Sequence, residues 1–587
     1  MSQEFIRNCQ ISTIEYLPNE LYLWIFSYLK PNDILYSFFN LNYRFQRLIE
    51  PYFYSIDLTN ISYTLYNTFI RTIFPSVYVQ HNHTLQLGGN ACCSSIFIEE
   101  LFTFKYLKLK SLSLTNVFSA TSISSYLQTI RTLKEFNIKL DLHFSLNKTK
   151  ESFFEDLLRN IFVNNCELEK CSIDISLWPI FPSFPLELQP CWTLKQLTIH
   201  LAHCSSQIIT LLTLVPNIEY LYIKQHIGCR DKRTNETNDM KNMEIINVSK
   251  LKVFSFQTLL LSSLDGLFIE CLLTKLKKLE ELTLIISEYN TPNNWFDGNY
   301  LTSTFLNKLK YLEKFQFYFQ DTNFQLNFFN PDLIISTFNT DFWLSRQLSV
   351  GCHIHLNKVC AVYSLPYGCI TDLPSFSDGL LNCRFNNVIR RNNVWKNVTS
   401  VQILNSLSKE TFTLLNTTFK SVNSLTIFNY NHEKIDTNCK IQLIQELLSS
   451  TPNLQSLEIF TKLLLDISPN SCYPKIVELS LIKNTNDINF NLLSTYFPHI
   501  KRFLLTIVNE YQSYIDSISN DLDFTLNVWL KQQQQHLMYV DIRTRNHSKE
   551  ILFTQRQTQI TKMIVEKYLN NREFHLEMSK KRLRLWL

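Results

Sequence analysis

Two hydrophobic periodicities alternate along most of this chain. Runs with apolar residues every three or four positions are followed by short segments of the form Leu-x-x-Leu-x-Leu, in which apolar and polar residues alternate. The first series comprises LKSLSL from Leu109, LKEFNI from Leu133, LEKCSI from Leu168, LKQLTI from Leu194, IEYLYI from Ile218, LKVFSF from Leu251, LEELTL from Leu279 and LEKFQF from Leu312. A second series comprises VTSVQI from Val398, VNSLTI from Val422, LQSLEI from Leu454, IVELSL from Ile476, IKRFLL from Ile500 and LMYVDI from Leu537. Most steps are about 22 to 28 residues, some reach the mid-thirties, and one larger gap separates the series, as in a degenerate structural repeat. The alternation predicts a strand in each short segment, with its last two apolar side chains inward and their neighbours outward. The runs within 206–223, 269–286 and 441–460 predict amphipathic helices leading into strands, and Pro216 and Pro452 stop the helices between them. Each unit has an apolar face that only the next unit can cover, so the units are expected to stack.

Residues 15–49 follow another pattern, of three short helices with apolar positions on two opposed faces. Pro18 is expected to open the first helix, with Leu21, Ile25 and Leu29 at i, i+4 and i+8 and Phe26 beside them. Lys30-Pro31 breaks it, and Asn32 and Asp33 serve as turn or capping residues for a second helix carrying Leu35, Phe38 and Phe39. Leu41 ends that helix, Asn42 caps a third bearing Phe45, Leu48 and Ile49, and Pro51 closes the unit. So small a unit cannot easily bury both faces, which reads as a docking module.

The residues that build these helices also carry a resemblance. Leu17-Pro18-x-Glu20-Leu21, Ile25-Phe26-x-Tyr28-Leu29, Asp33-Ile34-Leu35 and Leu41-x-x-Arg44-Phe45 resemble the F-box family in order, spacing and residue class. Phe45 stands where that family often has Trp, and Asn42 where it often has a small residue. The resemblance implies docking to the Skp-type adaptor of a cullin–RING ubiquitin ligase. Leu17, Pro18, Leu21, Ile25, Leu29, Leu35 and Phe45 would then supply the contacts or the packing beneath them. The downstream units resemble the leucine-rich repeats found behind the F-box in one large subfamily, although the Asn or Cys usual after the strand is mostly missing. That implies an α/β fold, a three-helix F-box followed by a horseshoe-shaped solenoid with parallel strands on the concave face and helices on the convex face. The corresponding layout is a tail at 1–14, an F-box at 15–60, a first run of repeats at 61–337, an insertion at 338–397, and a second run with a C-terminal cap at 398–587. The implied role is non-catalytic: a substrate-recognition subunit that binds an unknown protein target through the repeats. The competing reading is a protein-interaction scaffold with an F-box-like helical cap and no ligase work.

Outward strand positions are the candidate target surface, with Tyr222, Lys224, Tyr318, Phe428, Phe460 and Arg543 as substrate-binding candidates among neighbours such as Thr198, His200, Gln316, Thr426, Glu458 and Asp541. Aromatic side chains beside mixed charge suit protein recognition. Within the insertion, Leu348–Leu356 alternates as a strand, Val359 onward reads as its hairpin partner, and Asn357-Lys358 forms the turn. The polar stretches 228–242 and 291–299 read as surface excursions.

Composition narrows the chemistry. A net charge of +5 over 587 residues argues for neither a nucleic-acid groove nor a membrane surface, and neither partner is expected. Only 8 glycines occur, and neither a G-x-G-x-x-G nor a P-loop is present, so a phosphate-cradling loop is not expected. The 15 cysteines follow no framework of spacings and the N-terminal MSQEFIRNCQ is polar, pointing to free thiols in the cytoplasm or nucleus. The apolar stretch 257–274 contains Asp265 and Glu270 and reads as amphipathic and buried. His353 and His355 share a strand face and suit a metal, but two ligands are too few for a structural zinc site and a solvated face is the better account. Cys92-Cys93 read as one buried and one exposed thiol. Glu99-Glu100 and Glu280-Glu281 read as solvated charge, because adjacent helical residues do not converge. The basic KKRLRLWL reads as a solvated helix end. No cofactor, metal or catalytic residue is expected.

Overall fold

A computed structural model of the chain describes residues 16–59, 63–73, 84–88, 109–115, 133–140, 157–162, 167–175, 188–201, 205–225, 249–258, 263–286, 295–321, 330–355, 359–365, 372–376, 384–385, 399–404, 422–428, 453–460, 475–483, 496–507, 539–544, 575–579 and 582–586, with isolated positions between these runs. It is an α/β protein with two largely parallel sheets. Three short helices lead into the first: α1 (Asn19–Phe26), α2 (Pro31–Phe38) and α3 (Tyr43–Ile49).

The strands follow in chain order. They are β1 (Ser55–Asp57), β2 (Thr84–Leu87), β3 (Ser111–Thr115), β4 (Glu135–Leu140), β5 (Lys170–Ile175), β6 (Gln196–Leu201), β7 (Tyr220–Gln225), β8 (Val253–Thr258), β9 (Glu281–Ile286), β10 (Lys314–Asp321), β11 (Ser349–His355), β12 (Val359–Leu365), β13 (Asp372–Phe376) and β14 (Arg384–Phe385). Then come β15 (Ser400–Leu404), β16 (Ser424–Phe428), β17 (Ser456–Phe460), β18 (Glu478–Lys483), β19 (Arg502–Ile507), β20 (Tyr539–Thr544), β21 (His575–Ser579) and β22 (Arg582–Trp586). Every Leu-x-x-Leu-x-Leu segment is a strand, and each strand starts two residues after the segment's first apolar residue. Sequence pattern alone did not mark β1, β2, β13, β14, β21 or β22.

The first sheet has 13 strands, β1 to β10 in sequence order, then β12, β11 and β14. Pairing is parallel from β1 to β10, with no register shift from unit to unit. Inward residues therefore stack in rows, one running Leu112, Phe136, Cys171, Leu197, Leu221, Phe254, Leu282 and Phe315, and all of these are buried. Below each strand the turn repeats one motif: the amides of Lys134 and Glu135 both donate to the carbonyl of Lys110, at 2.8 and 3.0 Å. The same fork recurs from Glu169 and Lys170 to Lys134, and in each later unit as far as Glu313 and Lys314 to Glu280. Buried residues from Tyr22 to Val362 form one continuous apolar cluster, so the three helices share a core with the first sheet.

The insertion contributes its hairpin to the first sheet. Ser349–His355 pairs antiparallel with Val359–Leu365, the expected turn residues Asn357-Lys358 lying outside the described residues, and Val359–Leu365 also lies antiparallel to β10, ending the parallel array. A second sheet of 9 strands starts within the stretch read as insertion, at β13, and runs β15 to β20, then β22 and β21. The C-terminal KKRLRLWL is not a helix end: Arg582–Trp586 is a strand held antiparallel between β20 and β21. Its R-L-R-L-W alternation has a period of two, which suits a strand and not a helix.

The stretch around 257–274 contains a helix, α4 (Ser263–Lys275). Glu270 lies buried on it and accepts hydrogen bonds from Trp295 Nε1 (2.6 Å) and from Tyr300 Oη (3.0 and 3.2 Å to its two carboxylate oxygens). Burial and the adjacent carboxylate raise the Tyr300 pKa. Among the described residues no helix is long and apolar enough to cross a membrane.

Replacing Glu270 with Ala strands the fully buried Trp295 N–H and the Tyr300 hydroxyl. The expected loss is about 2–4 kcal/mol, measured by urea unfolding followed through tryptophan fluorescence. Glu270→Gln should cost clearly less, since its amide oxygen still accepts. Equal losses for the two variants would remove the hydrogen-bond account.

Candidate functional site

The N-terminal unit is two-faced. Pro18 precedes α1 as its cap and does not open it, and Lys30 caps α2 in place of Asn32 or Asp33, with Pro31 as its first residue. Asn42 caps α3 as expected, its side chain accepting from the Phe45 amide at 3.0 Å. Asn32 is buried instead, and its amide donates to the Asp57 carbonyl, tying α2 to β1.

The inner face of α1 is Tyr22 and Phe26. Their rings meet Phe45 (4.8 Å between centroids, edge-on) and Phe38 (4.9 Å), closing an aromatic core. Arg44 stacks over the Tyr22 ring at 5.3 Å, donates from Nε to Asn19 Oδ1 at 2.7 Å and from its terminal nitrogen to the Leu17 carbonyl. Leu35 and Phe45, two of the expected docking residues, are buried in this core and act as packing.

The outer face carries the rest. Leu21 is 43%, Trp24 62%, Tyr28 73% and Leu29 40% exposed. Ile25 is half-buried among them, Pro18 is exposed and Leu17 half-buried. Leu21, Trp24, Ile25 and Tyr28 fall at i, i+3, i+4 and i+7, one stripe of a helix and its final turn. Trp24 and Tyr28 stand edge-to-face at 5.4 Å. Neither was singled out from the sequence as a docking residue. The signal available was that Tyr22/Phe26 and Leu21/Ile25 are both apolar i, i+4 pairs, so one pair had to face out.

The outward strand positions are brought into rows. Thr198, Tyr222, Ser255, Thr283 and Gln316 lie in register across β6 to β10, and His200, Lys224, Gln257, Ile285 and Tyr318 form the next row. Tyr222 and Lys224 are half-buried neighbours on one face of β7. Burial, then the Glu281 charge, raises the Tyr222 pKa. Tyr318 is not at an open surface: it is 3% exposed, stacked on Tyr363 at 6.3 Å, because Val359–Leu365 adds beside it. His200 is buried with Nε2 3.1 Å from Asp174 Oδ1. Thr426 is buried and donates to Glu458 Oε2 at 3.3 Å. The side chains of Phe428, Phe460, Asp541, Arg543 and His355 lie outside the described residues, as do Cys92-Cys93 and Glu99-Glu100.

His353 is buried beside the Tyr363 ring (5.5 Å), so its face is not solvated. Cys352 and Cys360 are buried with their sulfurs 4.0 Å apart, and the hydrogen bond with the Cys352 thiol, then burial, push the Cys360 pKa up. Among the described residues no three His, Cys, Asp or Glu side chains converge as metal ligands.

At the entrance to the strands, charged side chains alternate. Glu169 sits between Lys195 (3.2 Å) and Lys134 (3.6 Å), and Lys252 reaches Glu219 at 3.1 Å. The hydrogen bond and charge of Lys195 hold the Glu169 carboxyl below its ordinary pKa. An open groove of about 440 Å³ runs here, lined by Trp192, Thr193, Asn217 and Lys250 together with Lys134, Glu169, Lys195 and Glu219. No known family model matches the chain, and no curated protein aligns with it significantly.

The two faces of α1 predict opposite mutational behaviour. Phe26→Ala should destabilise by about 3–5 kcal/mol through a core cavity, whereas Trp24→Ala should shift stability by less than about 0.5 kcal/mol. Thermal melts of the two variants check this, and a large loss for Trp24→Ala would mean that its face is occupied within the chain.

Proposed function

We propose that this protein is the substrate-recognition subunit of a Skp–cullin–F-box ubiquitin ligase. In this reading the three N-terminal helices form an F-box, and the two strand series form a leucine-rich-repeat solenoid that holds a protein target. The observation that carries the proposal is the outward stripe of Leu21, Trp24, Ile25 and Tyr28 on a helix whose opposite face, Tyr22 and Phe26, already closes the core. Large exposed apolar side chains grouped on one face mark an interaction site, and Trp and Tyr are common anchors at such sites. The stripe coincides with the Leu-Pro-x-Glu-Leu and Ile-Phe-x-Tyr-Leu segments that resemble the F-box family.

The mechanism is positioning. An adaptor on the helical face and a target on the strand rows around Tyr222 and Lys224 would be held in one assembly, raising the effective concentration of target near the transfer machinery. Ubiquitin transfer itself would take place on other subunits.

Co-expression with a Skp-type adaptor tests the reading. The full chain should co-purify with the adaptor, and Ile25→Asp or Trp24→Asp should lower that capture at least tenfold or so while the melting temperature stays near that of the wild type. Undiminished capture in both variants, or no capture by the wild type, would leave the non-ligase scaffold as the better reading.

A further inference from the structure

The residue just before each strand of β3 to β10 is Lys110, Lys134, Glu169, Lys195, Glu219, Lys252, Glu280 and Glu313, one per strand. The amide-to-carbonyl forks place consecutive members side by side along the sheet's entrance. Lys110, Lys134, Lys195, Glu280 and Glu313 are exposed, and Glu169, Glu219 and Lys252 are part-exposed. In order the signs are plus, plus, minus, plus, minus, plus, minus, minus. Read backwards, each sign is inverted.

A row with this antisymmetry is complementary to itself when reversed. A two-fold axis crossing the row between Lys195 and Glu219 sets Lys195 against Glu219 of a second copy, Glu169 against Lys252, Lys134 against Glu280 and Lys110 against Glu313. One charged pair of the neighbouring row fits the same operation: Glu167, preceding β5, falls opposite Lys250, preceding β8. An axis running along the row would oppose like charges, so only the reversed orientation fits.

The middle of the patch holds its apolar anchor. Trp192 is 62% exposed, and its carbonyl accepts from Asn217 Nδ2 at 2.7 Å beside the Lys195–Glu219 midpoint. A two-fold there brings Trp192 near its own copy, where an aromatic side chain contributes most. Eight strands at about 4.8 Å spacing give a row of about 34 Å, long enough for a patch of about 800 Å² per partner.

We infer that this charged entrance edge is an isologous interface through which two copies of the chain associate, with the Trp192 groove at its centre. The interface is separate from the α1 stripe, so it stands or falls independently of the adaptor reading.

Analytical ultracentrifugation of the full chain at tens of micromolar tests it. The wild type should dimerise at low salt and dissociate as salt rises. Lys195→Glu opposes two symmetry-related glutamate pairs and should weaken the dimer by roughly tenfold or more. Adding Glu219→Lys to that variant restores the opposition and should recover most of the affinity. Trp192→Ala should weaken association while leaving the salt response in place. If Lys195→Glu lowers the melting temperature, Lys250→Glu with rescue by Glu167→Lys replaces it. A monomeric wild type, an unaffected Lys195→Glu dimer, or failure of both rescues would each overturn the inference.

Discussion

The structure depends on one repeated backbone contact, the fork in which two successive amides of each unit donate to the carbonyl of the residue that occupies the same place in the unit before. Lys134 and Glu135 on Lys110 set the spacing that recurs to Glu313 and Lys314 on Glu280, and Asn423 and Ser424 on Thr399 set it again in the second sheet. The fork fixes where each strand begins, so parallel strands enter in register whatever the loop length before them. Register then decides which side chains stack. Leu112 to Phe315 become one buried row only because no unit slips by a residue, which would turn every inward side chain outward.

That constraint also explains why charge gathers in lines. A residue placed at the fork of one unit is neighbour to the same position in the next, at the strand spacing of about 4.8 Å. Lys134, Glu169 and Lys195 therefore meet as an ion-pair ladder from positions far apart in sequence. Such exposed pairs contribute little stability individually. Their importance is in pattern, since a fixed order of signs along an edge defines what can lie against it.

Where parallel stacking stops, the edge needs another solution. The parallel run of the first sheet ends on the hairpin Ser349–His355 and Val359–Leu365, which covers β10 and buries Tyr318 under Tyr363, with β14 beyond it. The second ends on the hairpin of β21 and β22, with Arg582–Trp586 against β20. Both devices occupy an edge strand that would otherwise expose unpaired amides and carbonyls. At the opposite end of the first sheet the three helices continue the core, Leu35 packing inward while Trp24 and Tyr28 stay in solvent.

The repeat strands were legible in the sequence because a period of two in a fixed Leu-x-x-Leu-x-Leu frame is a local property, and the hairpin at 349–365 was legible for the same reason. The Asn42 cap, too, needed only its neighbours. Exposure was another matter. Tyr222 and Tyr318 are both aromatic residues at outward positions, yet one stays half open and the other is buried, because an antiparallel strand from more than forty residues downstream lies beside only the second. Tyr22 and Leu21 are equally apolar, and packing with Phe45 and Phe38 alone decides which turns inward. The sequence determined the repeat strands and the alternation of their faces, since both follow from nearest-neighbour geometry. Which of those faces meets water was decided by tertiary structure, because burial is set by what the fold brings alongside.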